Sequence, residues 1–242
     1  MPEEINRLLT DALSDLLFVS EPSGVRNLRA EGIADDKVHF VGNVMIDTLR
    51  HQQRRAEGST VLQDLGLTPR NYVAVTLHRP SNVDDAPVFS GVLDAFAEML
   101  RELPVVFPAH PRTLKNIAAL GLQSRIDAMT GLRLMEPLGY LDFLKLMSHA
   151  AVVVTDSGGI QEETTILGVP CLTIRANTER PVTIEQGTNQ LVGTDPARIM
   201  AGYRKARSMS FDHPPMPEKW DGQAARRIVE ILGQLSRCGR SR

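Results

Sequence analysis

Residues 155–164 read Thr-Asp-Ser-Gly-Gly-Ile-Gln-Glu-Glu-Thr and follow directly on an apolar run at 151–154. The apolar run predicts a buried strand, and the polar stretch predicts the start of a helix. Gly158 and Gly159 remove side chains where a backbone must approach a ligand closely. The first N–H groups of a helix favour an anion, and Ser157 can add a hydroxyl donor. The pattern predicts an anion site, well suited to phosphate, where a strand ends.

Two carboxylates lie in the first turns of the same predicted helix. Glu162 fits a plain helix-start residue, because a carboxylate there interacts favourably with the helix dipole. Glu163 lies one helical turn after the glycines, so it could contact the same ligand. A carboxylate in that place could bind sugar hydroxyls, as acidic residues bind ribose in dinucleotide-binding folds.

Two other predicted strand ends each carry a histidine and an arginine. The first holds His78 and Arg79, and the second holds His110 and Arg112. Histidine titrates near neutral pH and can act as an acid, a base or a phosphate donor. The two strand ends therefore suggest an anion-facing rim, with structural turn chemistry as an equal alternative for His110.

The loop at 175–189 contributes Arg175 and Arg180, and arginine binds phosphate through two parallel hydrogen bonds. A solvated loop with surface ion pairs is the alternative, and it is favoured more for Arg175. Tyr140 and Phe143 stand at helical spacing. Core packing is the favoured interpretation for this pair, and a platform on which a base stacks is the alternative.

These residues need elements that bring strand ends together. Short apolar strands alternate with helical patterns, which predicts βαβ units and a parallel sheet. We expect residues 67–208 to form a doubly wound α/β domain with about six strands, which binds ligands outside their carboxyl ends. A final helix is predicted at 222–236, capped by Asp221. The predicted strands are 16–20, 38–42, 72–77, 104–107, 132–135, 151–155, 170–174 and 190–193.

Composition narrows the class of protein. The chain has 242 residues, 42% of them hydrophobic, and a net charge of −2, which argues against a nucleic-acid binder. Cys171 and Cys238 are expected to be reduced thiols in a cytoplasmic protein. The sequence shows no Cys/His cluster for a metal and no apolar run of the roughly 18 residues that cross a bilayer.

Seven stretches taken together resemble the bacterial and archaeal UDP-N-acetylglucosamine 2-epimerases, of the non-hydrolysing type. The resemblance covers essentially the whole chain. In chain order these stretches are VGNVMIDTL, LHRPSNVD, FPAHPRT, EPLGYLDFLKLM, DSGGIQEE, TERPVTIEQGTN and DGQAARRIVEIL.

The resemblance implies the C-terminal portion of a two-domain GT-B-type fold. Residues 1–45 would be the trailing segment of an N-terminal domain, and 46–220 the UDP-binding Rossmann-like domain. Residues 221–242 would form a crossover helix and a basic tail. The strand-end carboxylates that share in the family's catalysis lie before the first residue of such a portion.

The resemblance also implies a reaction, in which UDP is eliminated to give a 2-acetamidoglucal and then added back. No cofactor is implied. The implied site residues are Ser157, Gly158, Gly159 and Arg180 for the diphosphate, Glu163 for the ribose, Phe143 beside uracil, His78 and Glu3 as catalytic groups, and Arg79 and His110 for a second, regulatory substrate molecule.

Partners implied by the resemblance are UDP-N-acetylglucosamine and UDP, with no nucleic acid and no membrane, in a family that tends to form homodimers. The chain alone is expected to turn over little or nothing. Three alternatives remain: a nucleotide-sugar binding module without catalysis, a hydrolysing 2-epimerase, and a glycosyltransferase donor domain on the same fold.

Overall fold

The structure is a computed structural model that describes residues 2–209 and 216–238. The chain divides into two compact units. The first unit comprises Met1–His51 with Met216–Arg242, and the second unit comprises Gln52–Pro215. The expected boundaries, 45/46 and 220/221, lie a few residues from these divisions, and their assignment to two enzyme domains stays a prediction.

The strands are short, and all of them run parallel to their neighbours. They are β1 (Leu17–Val19), β2 (Val38–Phe40), β3 (Val73–Thr76), β4 (Val105–Pro108), β5 (Leu132–Met135), β6 (Val152–Thr155), β7 (Cys171–Thr173) and β8 (Asn189–Leu191).

Helices fill most of the connections between the strands. They are α1 (Pro2–Leu13), α2 (Pro22–Ala30), α3 (Val44–Ala56), α4 (Val61–Asp64), α5 (Pro80–Val83), α6 (Ala86–Met99), α7 (Pro111–Ala119), α8 (Gln123–Asp127), α9 (Tyr140–Ser148), α10 (Gly158–Leu167), α11 (Val182–Glu185), α12 (Pro196–Arg207) and α13 (Ala224–Cys238), with a 3₁₀ turn at Asp35–Lys37. Within the described residues, no helix combines the length and apolar composition needed to cross a membrane.

The second unit contains a six-stranded sheet with the order β5-β4-β3-β6-β7-β8. Along the chain this is the order 3-2-1-4-5-6 that Rossmann sheets have, with the reversal of strand order between β3 and β6. Val73 pairs with Val105 on one side and with Val152 on the other. The predicted fold class, a doubly wound parallel α/β sheet, is confirmed.

Burial explains why these strands are continuous apolar runs. All residues of β4 and β6 are buried, as expected for a sheet covered by helices on both faces. Phe96 of α6 meets Phe107 of β4 edge to face, with ring centroids 6.2 Å apart. The first unit holds a separate parallel pair, β1 and β2, in the register Leu17 to Val38.

Every predicted strand is present within one or two residues at each end. Helix α6 begins at Ala86, because the Asp85 carboxylate accepts the N–H of Val88 at 3.0 Å and caps the helix. The short helix α11 lies in the stretch at 175–189 that was predicted as a loop.

The predicted cap of the last helix is wrong. The backbone N–H groups of Ala224 and Ala225 donate to the Asp47 carboxylate, at 3.1 and 2.7 Å. Asp221 instead accepts the N–H of Gln223 at 3.1 Å and pairs with Arg227. A carboxylate from α3 thus does what a local motif was expected to do.

Candidate functional site

The glycine pair opens α10 directly after β6, at the reversal of strand order. Neither glycine has a positive φ, and a Cβ atom added to either would meet no heavy atom within 4 Å. Ser157 precedes them with an extended backbone (φ −85°, ψ 133°), and its side chain makes no bond to the first turn of the helix. The packing of the chain therefore does not require glycine here, and the helix start faces open space.

Asp156, a residue without a role in the sequence-based predictions, joins the ends of β3 and β6. Its carboxylate is fully buried and accepts the backbone N–H groups of His78 and Arg79, at 3.1 and 2.9 Å. The side-chain amide of Asn82 donates to it at 3.0 Å. Burial by itself would raise the pKa of Asp156, but the hydrogen bonds from His78, Arg79 and Asn82 hold it below its usual value.

His78 lies at the end of β3, with its side chain 47% exposed. Its Nδ1 atom is 3.0 Å from Asp156 Oδ1. The hydrogen bond to Asp156 raises the pKa of His78, while burial and the charge of Arg79 oppose that rise. The neighbouring Arg79 donates from Nε to the carbonyl oxygen of Asp156 at 3.0 Å, and its guanidinium is 3.9 Å from Glu179.

Glu163 is a buried carboxyl group with a single turn of α10 between it and the glycines. It is 5% exposed, and the Tyr140 hydroxyl donates to its Oε1 atom at 3.2 Å. Burial raises the pKa of Glu163 to about 7, against the effect of the Tyr140 hydrogen bond and with a contribution from the charge of Glu162. A carboxyl group with such a pKa exchanges its proton near neutral pH.

Tyr140 does not pack in the core, contrary to the favoured interpretation. It is 44% exposed on α9, and burial together with the charge of Glu163 raises its pKa to about 12. Phe143, on the same helix, is half-buried. Tyr140 and Phe143 lie on one helix, as predicted, but neither ring is buried in the core.

Glu162 is also more than a helix-start residue. It is buried, and its Oε1 atom is 2.5 Å from Nε of Arg180. This ion pair between Glu162 and Arg180 holds the arginine beside α10. The phosphate-binding role of Arg180 stays a prediction. Arg175 is bound to Glu179 at 2.7 Å, and this guanidinium holds the pKa of Glu179 below its usual value.

A buried amide network holds the loop at 175–189 to α10. Gln161 Oε1 accepts from Thr178 Oγ1 at 2.7 Å and from Asn189 Nδ2 at 3.1 Å. Gln161 Nε2 in turn donates to the carbonyl oxygen of Ser157 at 3.1 Å. The first turn of α10 and the arginine loop therefore form one connected arrangement, which the sequence-based predictions missed.

The strand end that carries His110 differs from the one that carries His78. His110 is exposed and caps α7, with its Nδ1 atom accepting the N–H of Arg112 at 3.2 Å. The Arg112 side chain pairs with Asp84. The structural alternative for His110, a role in the turn, thus explains the hydrogen bond that its Nδ1 atom makes. The side chain of Glu3, the remaining predicted site residue, lies outside the described residues.

Metal binding has no visible basis in the described part of the chain, where no three histidine, cysteine or acidic side chains come together.

The strand order and the glycine-opened helix at its reversal define an α/β protein of the Rossmann-like class. A sequence profile described as UDP-N-acetylglucosamine 2-epimerase matches residues 1–233. The chain belongs to this family, and the family resemblance of its seven stretches is confirmed.

Individual relatives agree with this assignment. A UDP-N-acetylglucosamine 2-epimerase of Methanococcus maripaludis is 39% identical, over 96% of this chain and 64% of the relative. The crystal structure of the Methanocaldococcus jannaschii UDP-GlcNAc 2-epimerase in complex with UDP-GlcNAc and UDP has a TM-score of 0.84 at 36% identity, over 97% of this chain and 65% of that one. The Neisseria meningitidis enzyme bound to UDP-GlcNAc has a TM-score of 0.82 at 30% identity, over 96% of this chain and 65% of that one. The chain spans a little under two thirds of each relative's length.

Proposed function

We propose that this chain supplies the UDP-binding part of an enzyme that interconverts UDP-N-acetylglucosamine and UDP-N-acetylmannosamine. The observation that carries the proposal is the start of α10. Two glycines that the protein's own packing does not require face open space at the reversal of strand order. Backbone N–H groups at such a helix start suit a diphosphate.

The remaining side chains suit the other parts of a nucleotide sugar. The family relationship and the geometry together support the following roles: Ser157, Gly158, Gly159 and Arg180 at the diphosphate, Glu163 at the ribose hydroxyls, Phe143 beside uracil, and His78 at the reacting end. The roles of Arg79 and His110 at a regulatory substrate molecule rest on the resemblance alone, and so does a homodimer. A cytoplasmic location is proposed from the resemblance and from the expectation of reduced thiols.

The proposed reaction needs a group that takes the C2 proton and a site that stabilises the leaving group. The C2–H bond breaks, a C1=C2 double bond forms, and the C1–O bond breaks with its electron pair passing to UDP. Re-addition of UDP with a proton on the other face of C2 gives the epimer. The positive end of α10 and the guanidinium of Arg180 offset the charge that develops on the diphosphate. Glu3 and His78 are the proposed proton-transfer groups of this chain.

Calorimetric titration with UDP tests the proposed diphosphate site. We expect Gly158→Ala and Gly159→Ala to lower UDP affinity at least ~10-fold, since a methyl group would occupy the space that the diphosphate needs. Neither variant should lose stability, because nothing within 4 Å opposes the added Cβ.

Gly233→Ala, on α13, is the matched control, because a Cβ there also meets no atom within 4 Å. It should leave UDP affinity unchanged. Equal UDP affinity in the wild-type protein and both α10 variants would contradict the proposed site.

Product analysis by NMR with UDP-N-acetylglucosamine separates the alternative reactions. We expect little or no turnover by this chain alone, because most of the proton-transfer groups implied by the resemblance lie outside it. UDP-N-acetylmannosamine as product would support epimerisation by this chain, and free N-acetylmannosamine would indicate hydrolysis.

A further inference from the structure

The geometry points to Asp156 as a positioning residue that fixes the orientation and the protonated nitrogen of His78, so that Nε2 is the atom that acts on the ligand. The inference rests on the proposed function for its ligand. It concerns a residue that has no contact with UDP in that proposal and acts through His78.

The carboxylate holds both the backbone and the ring of His78. Its oxygens accept the N–H of His78 at 3.1 Å and that of Arg79 at 2.9 Å. The imidazole Nδ1 atom lies 3.0 Å from Oδ1 of the same group. The buried Asp156 side chain at the end of β6 thus sets the position and the ring orientation of His78 at the end of β3.

Asp156 is also connected, through Asn82, to the end of a third strand, β7. Asn82 donates from Nδ2 to Oδ2 of Asp156 and to the carbonyl oxygen of Ile174, both at 3.0 Å. Ile174 follows β7 directly. Because the carboxylate is fully buried and has several donors around it, it cannot turn away from His78 without leaving those donors without a partner.

The pairing determines which nitrogen carries the proton. An ionised carboxylate only accepts, so a neutral His78 must place its proton on Nδ1 and keep a lone pair on Nε2. Asp156 favours the protonated ring, whereas burial and Arg79 oppose it, and the net effect raises the pKa of His78. His78 therefore accepts a proton through Nε2.

His110 provides a contrast within the same protein. Its Nδ1 atom accepts the backbone N–H of Arg112 at 3.2 Å. A neutral His110 must therefore carry its proton on Nε2. In their neutral forms His78 and His110 therefore have opposite tautomers. Of these two histidines, His78 is the one that presents a basic nitrogen at Nε2.

Long-range ¹H–¹⁵N NMR of the imidazole rings tests this inference without any ligand. We expect wild-type His78 to be the Nδ1–H tautomer and His110 the Nε2–H tautomer. In Asp156→Asn the amide would donate to Nδ1, so His78 should change to Nε2–H, and its pKa should fall because the charge and the hydrogen bond of the carboxylate are lost. His110 signals should stay unchanged.

An Nε2–H tautomer of His78 in the wild-type protein would overturn the inference, even if Asp156→Asn failed to fold. An unchanged tautomer and pKa of His78 in a folded Asp156→Asn variant would also overturn it. Addition of UDP is a separate arm, in which we expect the His78 Nε2 resonance to shift in the wild-type protein. Absence of that shift with the expected tautomers would count against the proposed function and leave the Asp156–His78 pairing in place.

Discussion

Glu162 and Glu163 are neighbours in sequence, but the structure gives them different partners. Successive residues of a helix point in different directions, so Glu162 meets Arg180 and Glu163 meets the Tyr140 hydroxyl. A guanidinium compensates a buried negative charge, whereas a phenol compensates it only in part. Glu163 therefore carries the raised pKa of about 7.

The raised pKa of Glu163 predicts a pH dependence of stability. Between its unfolded value near 4.5 and about 7, the folded state binds the proton more tightly than the unfolded state does. The free energy of unfolding must then fall as the pH rises through this range. Glu163→Gln removes the ionisation, so it should exceed the wild-type protein in stability by about 2 kcal/mol at pH 8, and by much less at pH 5. Urea unfolding followed by circular dichroism at both pH values measures this.

Glu185→Gln is the control for that comparison, because Glu185 is exposed near the same site. It should change the free energy of unfolding little, and equally at both pH values. A stability difference for Glu163→Gln that does not depend on pH would contradict the assigned cause.

Single residues stand out in the sequence where their type alone restricts their use. Gly158, Gly159 and Ser157 stand out because small residues after a buried strand have few structural explanations. Asp156 did not stand out, because its partners His78 and Asn82 lie more than 70 positions earlier in the chain. Only the pairing of β3 with β6 brings them together.

At the scale of the elements, the side chain of Gln161 connects α10 with the arginine loop, residues 175–189. Gln161 joins Thr178 and Asn189, and Asn189 also accepts from Thr173 Oγ1 at 2.7 Å. The sequence shows Gln161 only as one polar residue between Ile160 and Glu162. Its burial depends on the loop that returns across it, which a local pattern does not contain.

Gln161→Met should loosen this loop while keeping the side-chain volume similar. The buried amide of Asn189 and the hydroxyl of Thr178 would lose an acceptor, which costs about 1–3 kcal/mol of unfolding free energy. Hydrogen exchange should accelerate over residues 178–189, and UDP affinity should fall as Arg180 loses its fixed position. Gln190→Met is the control, since the Gln190 amide makes long contacts, to Gly202 O at 3.5 Å and to Met209 Sδ at 3.7 Å. Equal exchange rates in both variants would show that Gln161 does not organise the loop.

The capping of α13 gives a test at the same scale. Asp47→Ala removes the acceptor of two helix-start N–H groups, so we expect a loss of about 1–2 kcal/mol. Asp221→Ala should cost less, because Asp221 is exposed and its contacts are to Gln223 and Arg227. Fluorescence of the buried Trp220, which belongs to the first unit, reports the unfolding. A larger loss for Asp221→Ala would restore the cap inferred from sequence.

For the whole molecule, strand order decides where chemistry can occur. The reversal between β3 and β6 places Asp156, His78 and the start of α10 at neighbouring strand ends. The alternation of strands and helices was enough to predict a parallel sheet of this size. It was not enough to predict the order of the strands, because that depends on which strands pair across long connections.

Helix α1 of the first unit exposes several apolar side chains to solvent. Four of its side chains are exposed by 42–84%: Ile5, Leu8, Leu9 and Leu13. Exposed apolar patches of this kind bind hydrophobic dyes and promote association. We expect the protein to enhance the fluorescence of the dye ANS, and the double variant Leu9→Lys, Leu13→Lys to reduce that signal by about half. Ile184→Lys, which alters an exposed apolar residue of the second unit, should leave most of it. A stronger loss for Ile184→Lys would place the dye-binding surface at the arginine loop, and α1 would then have its apolar face covered in solution.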